Sequence, residues 1–384
     1  MKQEPSYEIA LAINVGITHL ERVVRGIRQY AEANTDWRFL VNPETHGFTP
    51  ANLEGWRGDG VIALANHPDD FRVLESLDCP VVNISGAVEE SSFPRVRPDY
   101  RAIGAMAARH LIERGYRRFG FYGMDGVWYS NRYFAGFEEE LSDRGFGCSI
   151  LEASSTLNGV SRWDTGQSEL EDWLSSLRPP FAIMGAHDPR AALVIQACGR
   201  VGLRVPDDVA VIGVNNDTVA CESCRPELTS IERNDLQIGY EAGSLLDQLI
   251  TRTSTLKSEV VVQPGQLRER ASTDCLGLDP GDLREAVEFA TENFRDPIAV
   301  SDLVVASKRS RRWLEESFAT HLQTTPRAFL SQLRLREAQR LIREYPSMAP
   351  GEAARRCGYS GTRQLNAHFL RAFGKNFKDF TRGS

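Results

Sequence analysis

Between Ser301 and Phe373 the chain repeats one pattern twice: a short helix, a three-residue turn and a second helix. Two such units in so short a span can only build a small all-helical domain, because each short helix must cross its partner at close range. In the first unit Ser301 to Ala306 starts a helix, Ser307-Lys308-Arg309 turns, and Ser310 caps a helix running from Arg311 through Phe318. Leu314 and Phe318, four apart, share its buried face. Thr325-Pro326 opens a longer helix, a polar cap followed by proline at the first helical position, and Phe329, Leu330, Leu333, Leu341 and Ile342 give it an apolar stripe. Pro346 and Pro350 stop it. In the second unit Glu352 to Cys357 is the short helix, Gly358-Tyr359-Ser360 the turn and Thr362 to Phe373 the next helix, with Leu365, Phe369 and Phe373 inward. Ala353 and Ala354 leave room for the crossing, Gly358 permits a positive φ, and Tyr359 plugs the core between the helices.

From Ile298 to Phe380 this pattern resembles the DNA-binding domain of the AraC family. The likeness rests on Asp302-Leu303, Ser310-Arg311-Arg312 with Leu314 and Phe318, and Arg334-Leu335 with Ala338 and Leu341-Ile342. It continues through Ala353-Ala354, Cys357-Gly358-Tyr359, Phe369, Phe373 and Gly374. Val304 stands where most members have alanine, and Phe377 where the closing glycine-x-x-proline would put proline. The resemblance implies that each second helix enters a major groove, which makes Arg311, Arg312, Glu315, Glu316, Thr362, Arg363 and Asn366 the candidate contacts. Arginine pairs in two places with guanine O6 and N7, which singles out Arg312 and Arg363; Asn366 could read adenine, and Arg311 suits a phosphate. Arg371, Lys375 and Lys378 would add backbone contacts.

The charge distribution agrees once the chain is divided. The whole is net −7, but residues 281–384 hold 18 Lys plus Arg against 12 Asp plus Glu, a net of +6, leaving −13 for residues 1–280. A basic C-terminal domain follows an acidic body. The 384 residues, 41% hydrophobic and 25% charged, suffice for two or three domains, each with its own core. The first fifteen residues lack the basic segment and continuous apolar core of a secretion signal, and no run of eighteen apolar residues occurs. Seven cysteines, an odd number scattered from Cys79 to Cys357, do not make a disulfide framework, so a cytoplasmic protein is expected. Cys221 and Cys224 form the only Cys-x-x-Cys, without the two further ligands a zinc site needs, and no metal or cofactor is expected.

In the body, short apolar runs alternate with helical stretches. The runs are Ile9 to Val15, Val61 to Leu64, Pro80 to Ile84, Phe119 to Tyr122, Phe181 to Met184 and Val209 to Val214. Amphipathic segments such as Leu20 to Ala33 and Arg101 to Arg114 lie between them. This is a parallel α/β signature, and in such folds ligands sit beyond the carboxyl ends of the strands. Those ends are polar: Asn14, Asp125, Asp188 and Asn215-Asn216-Asp217. Carboxylates and amides suit vicinal hydroxyls, and Trp128 and Trp163 could cover the apolar face of a sugar ring.

Residues 7 to about 270 resemble the LacI/GalR-type sensor, a two-lobed fold related to periplasmic sugar-binding proteins. The motifs are Asp99 with Gly104 and His110-Leu111-Ile112, the run Gly115 to Gly123, Arg132 with Gly136-Phe137, and Val205 to Asn216. Carried over by position, Asn14, Asp99, Trp128, Arg132, Asp188 and Asn215 are the implied ligand contacts. Asn215 departs from the aspartate most members carry, which removes a strong acceptor for two hydroxyls.

The expected architecture is therefore an α/β two-lobed sensor of parallel sheets flanked by helices over residues 1–275. A linker helix region follows at 276–296, then an all-α domain with two helix-turn-helix units at 297–384. The expected function is transcription regulation by DNA binding under control of a small sugar, a pentose being the first candidate. The expected partners are duplex DNA, the sugar and a second copy of the chain, with RNA polymerase as a further candidate and no membrane. Two rival readings are a cytoplasmic enzyme acting on sugars and a transport-type binding protein. Against the first, the chain has no phosphate-binding Gly-x-x-x-x-Gly-Lys loop, no Gly-x-Ser-x-Gly elbow and no His-Glu-x-x-His. Against the second stand the basic tail and the lack of an export signal.

Overall fold

The computed structural model describes residues 6–14, 16–40, 48–153, 165–252, 258–275, 283–345 and 348–377, and the account below concerns these. The chain divides into two compact units, Met1–Ile112 with Tyr116–Gly277, and Leu278–Ser384 with Glu113–Gly115.

The first unit holds two six-stranded sheets. The first sheet has the order β11-β5-β4-β3-β1-β2, from β1 (Tyr7–Ala12), β2 (Trp37–Leu40), β3 (Gly60–Ala63), β4 (Val81–Asn83), β5 (Arg95–Pro98) and β11 (Glu259–Val262). The second has the order β12-β10-β9-β8-β6-β7, from β6 (Phe119–Met124), β7 (Cys148–Ala153), β8 (Phe181–Gly185), β9 (Val209–Val214), β10 (Thr229–Ile231) and β12 (Leu267–Arg268). Every pairing is parallel except the short β10–β12 ladder. The central strands β3, β6, β8 and β9 are buried at every position, as strands covered on both faces must be.

Helices α1 (Thr18–Asn34), α2 (Pro68–Glu75) and α8 (Asp235–Thr251) accompany the first sheet. Helices α3 (Tyr100–Glu113), α4 (Trp128–Ser142), α5 (Thr165–Ser176), α6 (Asp188–Arg200) and α7 (Thr218–Ser223) accompany the second. Ile9, Leu11, Val23, Ile27, Ile238 and Leu246 centre one core, and Ile103, Leu111, Phe119, Phe121, Phe137 and Ile212 another. The chain thus builds two lobes and passes between them three times: from β5 into α3, from β10 into α8, and from β11 into β12. Helices α1 and α8 touch backbone to backbone. A Cβ on Gly26 would lie 2.0 Å from the Leu236 carbonyl oxygen, and one on Gly239 would lie 1.9 Å from that of Val23.

The second unit is all-helical: α9 (Arg284–Asn293), α10 (Val300–Ser307), α11 (Arg311–Leu322), α12 (Pro326–Glu344), α13 (Pro350–Arg356) and α14 (Thr362–Phe373). Ser310 and Thr325 cap α11 and α12, their hydroxyls accepting from the Trp313 and Ala328 amides at 3.2 and 3.1 Å. Pro350, which stops α12 in the sequence reading, is instead the first residue of α13, where its missing N–H costs nothing. Helix α9 falls in this unit, and its Ala286, Val287 and Ala290 are buried. Ala338, Leu341, Ala354, Cys357, Tyr359, Leu365 and Phe369 form the core around α13 and α14. Phe377 closes that core, 1% exposed with its ring 5.3 Å from Phe369, so the departure from proline there is an aromatic plug. Gly358 has φ +71°, and any Cβ would lie 2.1 Å from the Phe294 carbonyl oxygen.

Candidate ligand cleft and DNA-reading helices

The two lobes meet where β1, β8 and β9 end. The guanidinium of Arg22, on α1, donates to the Asn216 carbonyl at 3.2 Å and to the Asn215 carbonyl, both at the end of β9. The same side chain grips Asp235, the first residue of α8, through Nε at 3.2 Å and Nη2 at 2.9 Å. Thr18 donates to Asp217 at 3.3 Å, a second bridge between lobes. On the other side of the cleft, the amides of Trp128 and Tyr129 at the start of α4 donate to the carbonyls of Ala87 and Gly86 at 3.0 and 3.1 Å.

Four of the expected ligand residues stand around this junction. Asn14 follows β1 and accepts from the Gly16 amide at 3.1 Å, forming a local turn. Asn215 follows β9 at φ 107°, half-buried, with no side-chain partner among the described residues. Asp99 lies in the first crossing, where it caps α3 by accepting from the Ala102 amide at 3.0 Å and meets Gln263 of the third crossing at 3.3 Å. Arg132 lies one turn into α4 with its guanidinium 5.8 Å from the Trp128 ring.

Two expectations are corrected by their surroundings. Trp128 does not present an open face for a sugar ring: the guanidiniums of Arg95 and Arg97 lie 4.8 and 5.3 Å from its ring centroid, and Tyr100 packs edge-on at 5.7 Å. Asp188 is 0% exposed, and its partners belong to the protein. Ser230 donates to Oδ1 at 2.5 Å and the Asp217 amide to Oδ2 at 2.7 Å. Burial pushes its carboxyl up to about 7 against the pull of these two bonds. Asp188 therefore fixes the Asn215-Asn216-Asp217 turn from behind. Trp163 and Val15 lie outside the described residues.

The sequence reading missed the cationic and imidazole part of the junction. Arg233, in the second crossing, donates through Nε to Asp235 at 3.0 Å. His19 on α1 and His187 before α6 lie within electrostatic reach of each other; burial and the neighbouring arginines lower both, His187 to about 4. Arg190 stacks over Tyr122 at 4.9 Å. A lone arginine or histidine in sequence carries no sign of such convergence. The Cys-x-x-Cys pair is packed in the lobe core with both thiols raised by burial, and no metal-binding cluster occurs among the described residues.

In the helical unit the candidate DNA contacts are borne by α11 and α14. Arg311 and Arg312 are exposed and paired with Glu315 and Glu316 one turn on, at 2.9 and 2.8 Å. Exposed pairs of this type are weak enough to exchange for a stronger acceptor. Arg363 is exposed with no ion pair among the described residues, and Thr362 is half-buried at the start of α14. Asn366 differs from the expectation: its Oδ1 accepts the Phe377 amide at 3.1 Å, so its carbonyl ties down the chain after α14 instead of facing outward free. Arg334, buried, donates to the carbonyls of Phe294, Asp296 and Ile298 at 2.9, 2.9 and 3.0 Å and holds the chain entering α10. Arg371 and Lys375 are exposed; Lys378 lies outside the described residues.

Three domain families match in order: the XylR N-terminal domain over residues 8–103, the periplasmic binding protein-like domain over 108–273, and a helix-turn-helix domain over 303–383. With the geometry above, they define a DNA-binding transcription regulator in which a periplasmic-binding-protein-like sensor is followed by an AraC-type helix-turn-helix domain. The chain is homologous to the xylose operon regulatory proteins. It is 26% identical to that of Escherichia coli K12, over 97% of this chain and 96% of the relative, and 26% identical to that of Haemophilus influenzae, over 98% of each. The solved structure of the xylose-binding transcription activator XylR matches with TM-score 0.65 at 25% identity, covering 100% of both chains.

Proposed function

We propose that this protein controls transcription in response to a small sugar bound between the two sensor lobes, with xylose or a related pentose the effector suggested by its relatives. The observation that carries this reading is the Arg22 bridge: one side chain of the first lobe holds both the start of α8 and the β9 carbonyls of the second. A ligand seated there alters the contacts that fix the angle between lobes. It shifts DNA affinity only through its preference for one lobe arrangement, typically about 1–3 kcal/mol of coupling.

Asn14, Asn215, Asp99 and Arg132 are the proposed ligand contacts, with Asp188 and Trp128 positioning them. Arg311, Arg312, Arg363 and Thr362 are the proposed DNA contacts, and Glu315 and Glu316 hold the first two until DNA displaces them. A second copy of the chain would place two such readers on a repeated operator and raise their effective concentration there. Contact with RNA polymerase, a cytoplasmic location and the absence of catalysis belong to the same proposal. The test is fluorescence anisotropy of the full chain on fragments from its own genome, against random competitor, with and without pentoses and hexoses. Selective binding that changes by five-fold or more with one sugar is expected. No preference for any fragment under any condition overturns the proposal.

A further inference from the structure

The two candidate reading helices differ in charge. Helix α14 holds Arg363 and Arg371 and no acidic residue, whereas α11 sets Glu315 and Glu316 against Arg311 and Arg312 and sums to zero. On α11, Leu314, Ser317 and Phe318 are buried, and Arg312, Glu316 and Ala319 stand on the exposed face. Arg312 and Glu316 are the more exposed of the two pairs, at 88% and 62%.

An anion on a helix that enters duplex DNA works against binding, because phosphates wall the groove. In the free protein Arg312 donates to Glu316 through Nε at 2.8 Å, and the two charges cancel. Once Arg312 turns to guanine O6 and N7, the Glu316 carboxylate is left facing the groove and needs a donor there. The base edges offer two amino groups, adenine N6 and cytosine N4. Adenine sets the N7 acceptor beside its amino group, which repels a carboxylate, while cytosine has a C–H in that place.

We propose that Glu316 is a specificity residue that demands cytosine, so that α11 reads a guanine and a cytosine close together in the operator. Four residues of helix rise about 6 Å, and bases stack about 3.4 Å apart, which puts the two within about two base steps. Helix α14, with no acid, makes no such demand. This rests on the DNA-reading assignment above and extends it to the base composition of the operator.

The experiment is selection from a random duplex library by the full chain, with and without D-xylose, followed by fluorescence anisotropy on the selected duplex. Arg312→Ala marks the guanine as the position that loses its preference. A cytosine within about two steps of it is expected in the wild-type motif, favoured roughly ten-fold over the other bases. Glu316→Gln should replace that cytosine by adenine, because an amide pairs with N6 and N7, and leave the rest of the motif as it was. Glu316→Ala should erase the preference and tighten binding to random duplex, with a steeper salt dependence. A pair that merely stabilises α11 would instead weaken binding to every duplex alike and leave the motif unchanged. That result, a wild-type motif lacking the cytosine, or an Arg312→Ala variant that relaxes no position overturns the role of Glu316 and leaves α14 as a reader. No enriched motif from the wild-type chain under either condition overturns sequence-specific reading itself.

Discussion

Replacing Asp188 by alanine separates two roles that the same residue could have. If its oxygens served a ligand, removing them would silence the sensor and leave the fold intact. The structure instead aims the Ser230 hydroxyl and the Asp217 amide at them, with Ser230 fully buried, so Asp188→Ala strands two donors. An orphaned buried donor costs about 1–3 kcal/mol, which gives roughly 2–6 kcal/mol for the pair. In a unit of this size each kcal/mol lowers Tm by roughly 2–4 °C, so a fall of roughly 4–24 °C is expected. Wild type and variant are compared at one fixed pH. With its pKa raised by burial to about 7, Asp188 contributes most below its unfolded value and that contribution is lost as pH rises through 7. Differential scanning fluorimetry of the full chain, with and without ligand, reads both quantities. A Tm within about 2 °C of wild type together with loss of the ligand-dependent shift would refute the positioning role.

Arg363→Ala should weaken operator binding by about 1–3 kcal/mol and relax one base position while leaving effector affinity unchanged; an unaltered footprint would exclude α14 from base reading. His187 predicts an acid limb in stability. Its folded pKa near 4 lies below the unfolded value of 6.5, so stability present above pH 6.5 is lost as pH falls toward 4, at about 1.4 kcal/mol per unit or roughly 3 kcal/mol in all. His187→Asn should remove that limb. Because Asp188 titrates in the opposite sense over the same range, the readout is the difference between wild type and variant by urea unfolding, and a difference constant from pH 7 to 4 would contradict the burial argument.

Much of this fold was written in local pattern. The helices α11 and α14 begin where Ser310 and the Gly358-Tyr359-Ser360 turn said they would, because caps and positive-φ turns are local chemistry. The strands that announced themselves were the largely buried ones, β1, β3, β4, β6, β8 and β9. Edge and crossing strands did not: β2 and β7 are half-exposed with mixed residues, and β10 has three residues whose pairing comes from distant chain. The cleft divided along the same line. Asn14 and Asn215 stand at strand ends, where topology alone places ligand contacts. Arg22 and Arg233 acquire meaning only when residues more than two hundred positions apart converge on Asp235, and no periodicity marks such a meeting. Asp188 and Asn366 misled for a related reason: a polar side chain at a helix start or on an amphipathic face reads as outward until its acceptor is found to be spoken for.

The paired glycines of α1 and α8 have a mechanical corollary. With main chain lying on main chain at Gly26 and Gly239, no side chain separates the helices at that crossing to absorb a tilt. One of them starts at the second interlobe passage and the other carries Arg22, so a swing of either must drag its neighbour along. An alanine at either glycine would wedge the pair open and insert play into a joint that otherwise transmits rotation without slack.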